Sequence, residues 1–225
     1  MIKSIIFDKN KRLTTFLNPF SYLLFRRDFD KLKYFNVKID GGMLVIILNL
    51  FRIKVTRESF DMTSLGPIVF NEAINENKSV YFIGTKPHVI DSAIKNIQEE
   101  FPALNISGFR DGYMSPLERD MVIKEIINKK TDYVVCGMGT PLQEQFLIDL
   151  QKFGWNGKGY TCGGFLHQTA NCINYYPKWI NSLGLRAFYR MYDEPQLIKR
   201  YFTNYPQAIC IIVFDLIKDK FFRRK

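Results

Sequence analysis

Residues 131–147 read TDYVVCGMGTPLQEQFL, and the order of residue types along them decides the fold. Residues 133–136 form a short apolar run of the kind that fills a buried strand. Gly137-Met138-Gly139-Thr140-Pro141 follows at once and ends it. A helical pattern then opens at Leu142, with Gln143 and Glu144 in its first turn. Pro141 falls near the first helical position, where a missing N–H costs nothing. Strand, glycine turn and helix start predict a cradle of backbone N–H groups that suits a phosphate or another anion. Gly137, Gly139 and Thr140 are candidate ligand positions on that ground, although most βα turns contain glycine and bind nothing.

The same alternation repeats outward. Upstream, helical periodicity covers residues 63–76, 88–101 and 116–129, with strands predicted over 80–83 and 105–107. Downstream, a helix over 142–152 leads to a strand over 159–161 and Gly163-Gly164. The first segment reads as strands over 4–7 and 13–17 around an Asp8-Lys9-Asn10 turn. Asn18-Pro19 stops the second strand and starts a helical run over 20–35. A short strand over 37–39 ends at Asp40-Gly41-Gly42, an apolar helix over 43–51 follows, and 52–61 is irregular. Strands alternating with helices imply an α/β fold: a mostly parallel sheet with helices on both faces. Ligands of such sheets lie outside the carboxyl ends of the strands. Asp40, Gly84, Asp111, Gly137-Gly139 and Gly163-Gly164 all fall at predicted strand ends.

The chain of 225 residues is long enough for one sizeable domain and an appendage, and 47% hydrophobic with 15% aromatic content argues for a packed core. The four cysteines form no CxxC pair, which points to reduced, buried thiols in a cytoplasmic protein. With only two histidines, no structural zinc site is expected. The N-terminus lacks the apolar core of a signal peptide, and no run reaches the roughly eighteen apolar residues of a membrane span. Composition shifts near Pro177, dividing the chain into residues 1–177 and 178–225. The second part carries ten Lys/Arg against four Asp/Glu, so it holds +6 of the chain's formal +10. Aromatics such as Trp179, Phe188, Tyr189, Tyr192 and Phe202 are interleaved with those charges. Such helices suit an anionic membrane surface, or else pack as a solvated pair on the domain. The apolar helix over 43–51 suits either a homo-oligomer contact or the core.

Asp40, at a strand end and followed by two glycines, has an uncrowded carboxylate that could serve as a general base, though Asp-Gly after a strand also marks a simple turn. Arg57 could grip a phosphate through its bidentate fork. Asp28-Phe29-Asp30 has the form of a metal-holding DxD, but it lies inside a basic helical run, and no metal is expected there. His88 and His167 stand apart from any nucleophile motif, and no GxGxxG, Walker A or GxSxG pattern occurs.

Taken in order, these motifs resemble the WecG/TagA/CpsF glycosyltransferases (glycosyltransferase family 26). GMGTPLQEQF is similar to that family's G-x-G-x-P-x-Q-E block. Ile39-Asp40-Gly41-Gly42 resembles its strand-end D-G, Arg57 with Asp61 its R-x-x-x-D segment, and Leu17-Asn18-Pro19 its early T-x-N-P element. Gly184-Leu185, Tyr189-Arg190, Glu194-Pro195 and Arg200-Tyr201 look like its C-terminal pattern. The resemblance spans nearly the whole chain.

It implies a Rossmann-like fold of the GT-E type with a helical, basic C-terminal appendage. It implies sugar transfer from a UDP-sugar to a polyprenyl-diphosphate-linked acceptor, with inversion and without a metal, at the cytoplasmic face of the membrane. Asp40 would be the general base, Arg57 and Gln143 would hold the diphosphate or donor sugar, and Asn18 would help position substrate. Arg190 and Arg200 would neutralise the lipid diphosphate. Phe16, His167 and Gln196 depart from the family pattern, so the donor sugar stays open. Two other classes compete. A nicotinamide-dependent oxidoreductase lacks its glycine fingerprint here. A basic nucleic-acid or membrane-binding module explains the tail but not the strand-end motifs, and no nucleic-acid partner is expected.

Overall fold

A computed structural model describes residues 11–222. The strand expected over residues 4–7 lies outside them. Six strands form one all-parallel sheet in the order β2-β1-β6-β5-β3-β4. They are β1 Leu13–Leu17, β2 Phe35–Ile39, β3 Ser79–Gly84, β4 Asn105–Arg110, β5 Tyr133–Gly137 and β6 Lys158–Thr161. All five residues of β5 are buried, as a strand covered on both faces requires. β2, at the sheet edge, alternates buried and half-buried residues instead.

Seven helices cover the sheet: α1 Pro19–Phe25, α2 Gly42–Leu50, α3 Leu65–Asn75, α4 Val89–Glu100, α5 Pro116–Asn128, α6 Leu142–Lys152 and α7 Phe165–Asn171. The strand period of two sends alternate residues to opposite layers. Tyr81, Ile83, Val134 and Cys136 join Phe25, Leu48, Ile123 and Phe146 in one core. Val80, Phe82, Tyr133 and Val135 join Phe70, Ile94 and Phe165 in the other. The α/β architecture expected from the alternation is the one observed.

Two boundaries differ from expectation. The helical run over 20–35 is broken into α1, a 3-10 segment Phe29–Tyr34 and the start of β2. Phe35, Val37 and Ile39 are all buried as strand residues of β2. β4 runs on to Arg110, an edge strand whose half-exposed, glycine-containing sequence carries little hydrophobic signal.

The tail continues as α8 Lys178–Ser182, α9 Arg186–Asp193 and α10 Leu197–Lys199, then a π-helical turn Arg200–Asn204 into α11 Tyr205–Phe222. α11 is no loose arm. Ala208, Ile212 and Leu216, at four-residue spacing, are buried in the same core as α1. Tyr22 donates its hydroxyl to Asp215 at 2.9 Å, and Arg26 donates to both oxygens of the same carboxylate at 2.9 and 3.1 Å. No helix among the described residues is long and apolar enough to cross a membrane.

Candidate active site

Asp40 follows directly on β2, and its N–H bonds to the Leu17 carbonyl at the end of β1. The parallel register pairs Leu17 with Ile39, which brings the residues after them, Asn18 and Asp40, side by side at the carboxyl edge. Gly41 has φ +114, and a Cβ there would stand 3.6 Å from Asn18 Cβ. Glycine thus lets the chain turn away beneath Asn18 without strain.

Arg57 reaches the same point by backbone pairing. Residue 57 forms a parallel bridge with Ile39, and the Glu58 N–H bonds to the Ile39 carbonyl. The Arg57 Nη2 donates to Asp40 Oδ1 at 3.0 Å and to Ser59 Oγ at 3.0 Å. The Asp40 side chain is 34% exposed, and its partial burial pushes the pKa above the usual carboxylate range. Arg57 pulls the other way, and Asp61 nearby reinforces the rise. A carboxylate so poised is a stronger base than one in open water.

Asp61 is committed elsewhere. It accepts bonds from Ser59, from the N–H and hydroxyl of Thr63, and from Arg186 Nη1 at 2.8 Å. Burial alone would raise its pKa, but these donors and the Arg186 charge hold it below the ordinary value. Arg186 also lies over the Tyr176 ring and donates to Thr63 and Asn181. It therefore ties α9 to the Asp40 edge. The sequence pattern gave Arg186 no role, since its carboxylate partner Asp61 lies 125 residues away.

Asn18 caps α1. Its side-chain oxygen accepts the Ser21 N–H at 2.9 Å, and Ser21 returns a bond from the Asn18 N–H to its hydroxyl. Its amide nitrogen makes no hydrogen bond among the described residues, so it can face a ligand beside Asp40. Arg190 comes in from α9: a Cβ on Gly164 would stand 3.3 Å from Arg190 Nη2. Arg190 also pairs with Glu194 at 2.9 Å. Arg200 stacks on the Phe20 ring at 3.8 Å, and its buried Nε has no hydrogen-bond partner. Burial and the charge of Arg190 together lower the Arg200 pKa. Two guanidinium groups thus converge on the α1 and β2 end of the edge.

On the other side of β1 and β6 lies the glycine turn. The Thr140–Pro141 peptide is cis, and Pro141 caps α6. Gly139 has φ +77, and its missing Cβ faces open space. Gly137 serves packing: a Cβ there would meet Cys162 Sγ at 2.8 Å and the Gly163 carbonyl at 2.9 Å. Gln143 is buried, and its amide is spent inside the protein. Its Nε2 donates to Thr140 Oγ1 at 3.3 Å and Glu144 Oε1 at 3.0 Å, while its Oε1 accepts the Gly163 N–H at 3.2 Å. It clamps the turn after β5 to the turn after β6.

The acids of the DxD pair with local lysines, Asp28 with Lys31 and Asp30 with Lys33. Among the described residues no group of three or more His, Cys, Asp or Glu side chains could hold a metal ion. α2 divides the two roles foreseen for it: Leu44, Ile47 and Leu48 are buried, while Met43, Ile46 and Leu50 are exposed.

The carboxyl edge of this parallel α/β sheet gathers a half-buried aspartate and several arginines, a charge pattern that suits anionic ligands. The chain belongs to the WecG/TagA/CpsF family of glycosyltransferases, whose family model matches residues 2–223. It is 34% identical over 220 residues to a Shigella boydii UDP-Gal:alpha-D-GlcNAc-diphosphoundecaprenol beta-1,4-galactosyltransferase, covering 96% of this chain and 92% of that one. It is 25% identical over 213 residues to a Bacillus subtilis (strain 168) N-acetylglucosaminyldiphosphoundecaprenol N-acetyl-beta-D-mannosaminyltransferase, covering 92% and 81%.

Proposed function

We propose that the chain transfers a hexose or N-acetylhexosamine from a UDP-sugar to a polyprenyl-diphosphate-linked saccharide, in the synthesis of a bacterial surface polysaccharide. The observation that carries this reading is Asp40, half-buried at the carboxyl end of β2 and oriented by Arg57 at 3.0 Å. Both relatives act on a diphosphoundecaprenol-linked acceptor by name, which supports the acceptor class.

The mechanism is a single displacement with inversion. Asp40 takes the proton of the acceptor hydroxyl as that oxygen bonds to the anomeric carbon and the bond to UDP breaks. Arg57 occupies Asp40 Oδ1, so Oδ2 serves as the proton acceptor. Arg57 meets the phosphate nearest the anomeric carbon, and backbone N–H groups of the Gly137–Thr140 turn meet the far end of the leaving UDP. Arg190 and Arg200 face the lipid diphosphate, a role that suits the unpaired Nε of Arg200. Gln143 acts indirectly, by setting the shape of the donor turn. No step needs a metal.

UDP release is measured with UDP-galactose and other UDP-sugars on a GlcNAc-diphosphate-lipid acceptor. A positioned base contributes about 10²–10⁴-fold, so Asp40→Asn lowers kcat by that order and leaves UDP affinity intact. Wild-type turnover by Asp40→Asn would rule Asp40 out as the base.

The enzyme works from the cytoplasmic side as a peripheral protein on an anionic membrane. Phe188, Tyr192 and Phe202 are 65%, 87% and 71% exposed on a basic tail, which supports that docking. Changing Phe188 and Tyr192 to glutamate in the full chain weakens sedimentation with phosphatidylglycerol vesicles; unchanged sedimentation counts against the tail. The exposed stripe Met43, Ile46 and Leu50 supports a contact between two copies of the chain.

A further inference from the structure

Glu144 is a first-turn acid of α6 by sequence, yet its side chain has no exposure to solvent. Its Oε1 collects bonds from three elements: Thr15 Oγ1 of β1 at 2.9 Å, Gln143 Nε2 of α6 at 3.0 Å and Thr140 Oγ1 of the glycine turn at 3.2 Å. The proton directions are fixed. Gln143 Nε2 carries only hydrogens to give. Thr15 accepts from Thr161 of β6 at 3.0 Å and so points its own proton at Glu144. Thr140 accepts from Gln143 and does the same. Oε1 is therefore purely an acceptor, and a proton on Glu144 can sit only on Oε2.

Oε2 is buried and has no hydrogen-bond partner. Among the described residues no lysine or arginine pairs with Glu144. On the packed elements, Arg119 of α5 and Asp149 of α6 pair with each other at 2.6 Å. The buried Cys136 thiol of β5 is a further ionisable neighbour, which burial, Cys162 and Glu144 all push upward. A negative charge on Glu144 would have neither counter-ion nor donor at Oε2, which the interior penalises heavily.

We propose that Glu144 is a positioning residue, kept as the neutral acid, that holds Gln143 and Thr140 in place and thereby fixes the donor turn. As acceptor for Nε2, it leaves the Gln143 carbonyl facing the Gly163 N–H, and this clamps the turns after β5 and β6 together. Burial raises the Glu144 pKa, partly offset by Gln143, Thr15, its own backbone N–H and Thr140. As pH climbs through that raised value the buried group ionises and the clamp loosens. The inference rests on the proposed function for its link to the donor.

The test uses the full-length protein with Glu144→Gln, Glu144→Ala and Glu144→Asp. The readouts are kcat and KM for the UDP-sugar, and urea unfolding without substrate, each across pH. Glu144→Gln keeps the acceptor oxygen: KM stays within about threefold of wild type, and the rise in KM with pH disappears. Glu144→Ala removes the hydrogen bonds of the clamp and raises KM about tenfold or more, with kcat less affected. Glu144→Asp is too short to restore contact and behaves like alanine. A glutamine variant as impaired as alanine overturns the proposal, because the charge would then be needed. So does a wild-type KM in Glu144→Ala.

The unfolding series separates this from the reading of function. An acid whose folded pKa is raised stabilises the fold fully below its unfolded value and loses that contribution as pH rises through the folded one. The stability of Glu144→Gln relative to wild type therefore grows as pH rises from the unfolded carboxyl pKa through the raised folded one, even if no sugar acceptor is ever found. A flat difference overturns the neutral-acid assignment.

Discussion

Replacing Asp215 by alanine tests whether the C-terminal helix is part of the core or an appendage resting on it. The Asp215 carboxylate accepts from the Tyr22 hydroxyl at 2.9 Å and from Arg26 at 2.9 and 3.1 Å. These contacts join α11 to α1 across about 190 residues of sequence. Tyr22 is only 1% exposed, so without Asp215 its hydroxyl is buried and unpaired, at a cost of about 1–3 kcal/mol. The Arg26 side chain is 43% exposed, and its share is worth about 0–1 kcal/mol after solvent screening. The sum is about 1–4 kcal/mol, which lowers Tm by roughly 2–16 °C for a chain of this size.

Thermal and urea unfolding of the single variants and of Tyr22→Phe/Asp215→Ala measure it. The double variant is no less stable than Asp215→Ala, because the orphaned hydroxyl is gone. The pH dependence has a definite sign. Burial raises the Asp215 pKa, but the bonds from Arg26 and Tyr22 outweigh it and leave the folded value lowered. Its stabilisation is present above the unfolded pKa and is lost as pH falls through the folded one. A Tm for Asp215→Ala within about 1 °C of wild type would refute the reasoning, as would simple additivity in the double variant.

Arg57→Ala removes the cation that holds down the Asp40 pKa, so the acid limb of kcat/KM moves to higher pH while kcat falls; an unmoved limb would separate Arg57 from the base. Gly84→Ala places a Cβ 2.4 Å from the Gly137 carbonyl oxygen at φ +143, and it destabilises by about 2–5 kcal/mol in urea unfolding. Gly163→Ala, at φ +53 with open space around it, costs only about 1–2 kcal/mol. Equal losses at the two glycines would show that backbone conformation, not the close approach of Gly84 to Gly137, sets the cost.

The parallel sheet was legible because its central strands are short apolar runs bounded by glycine, and that signal is local. Asp40 and the glycine turn were legible for the same reason, as strand ends. Residues whose roles depend on distant partners were not. Glu144 reads as an ordinary first-turn acid until β1 brings Thr15 to it, 129 residues away in sequence. Arg186 reads as one basic residue among ten until α9 sets it on Asp61. Gln143 could be picked out by its motif, but the motif could not say that its amide faces inward. The tail's charge was visible, whereas the four-residue stripe Ala208, Ile212 and Leu216 was hidden in a longer apolar run.

The strand order adds a constraint on the ligand that no single motif carries. Asp40 ends β2 and the glycine turn ends β5, with β1 and β6 between them. Three strand spacings place the two strand ends about 14 Å apart. A compact anion cannot touch both, so an inorganic phosphate would engage one end only. An extended nucleotide sugar can lie along the edge, with its diphosphate over β1 and β6 and its reacting carbon beside Asp40. Residues along that line already meet the requirement. Asn18 keeps an amide nitrogen for the edge, and Gly163 leaves open space at the end of β6. The proposed site is therefore a strip across four strand ends, and its two ends were the parts the sequence could show.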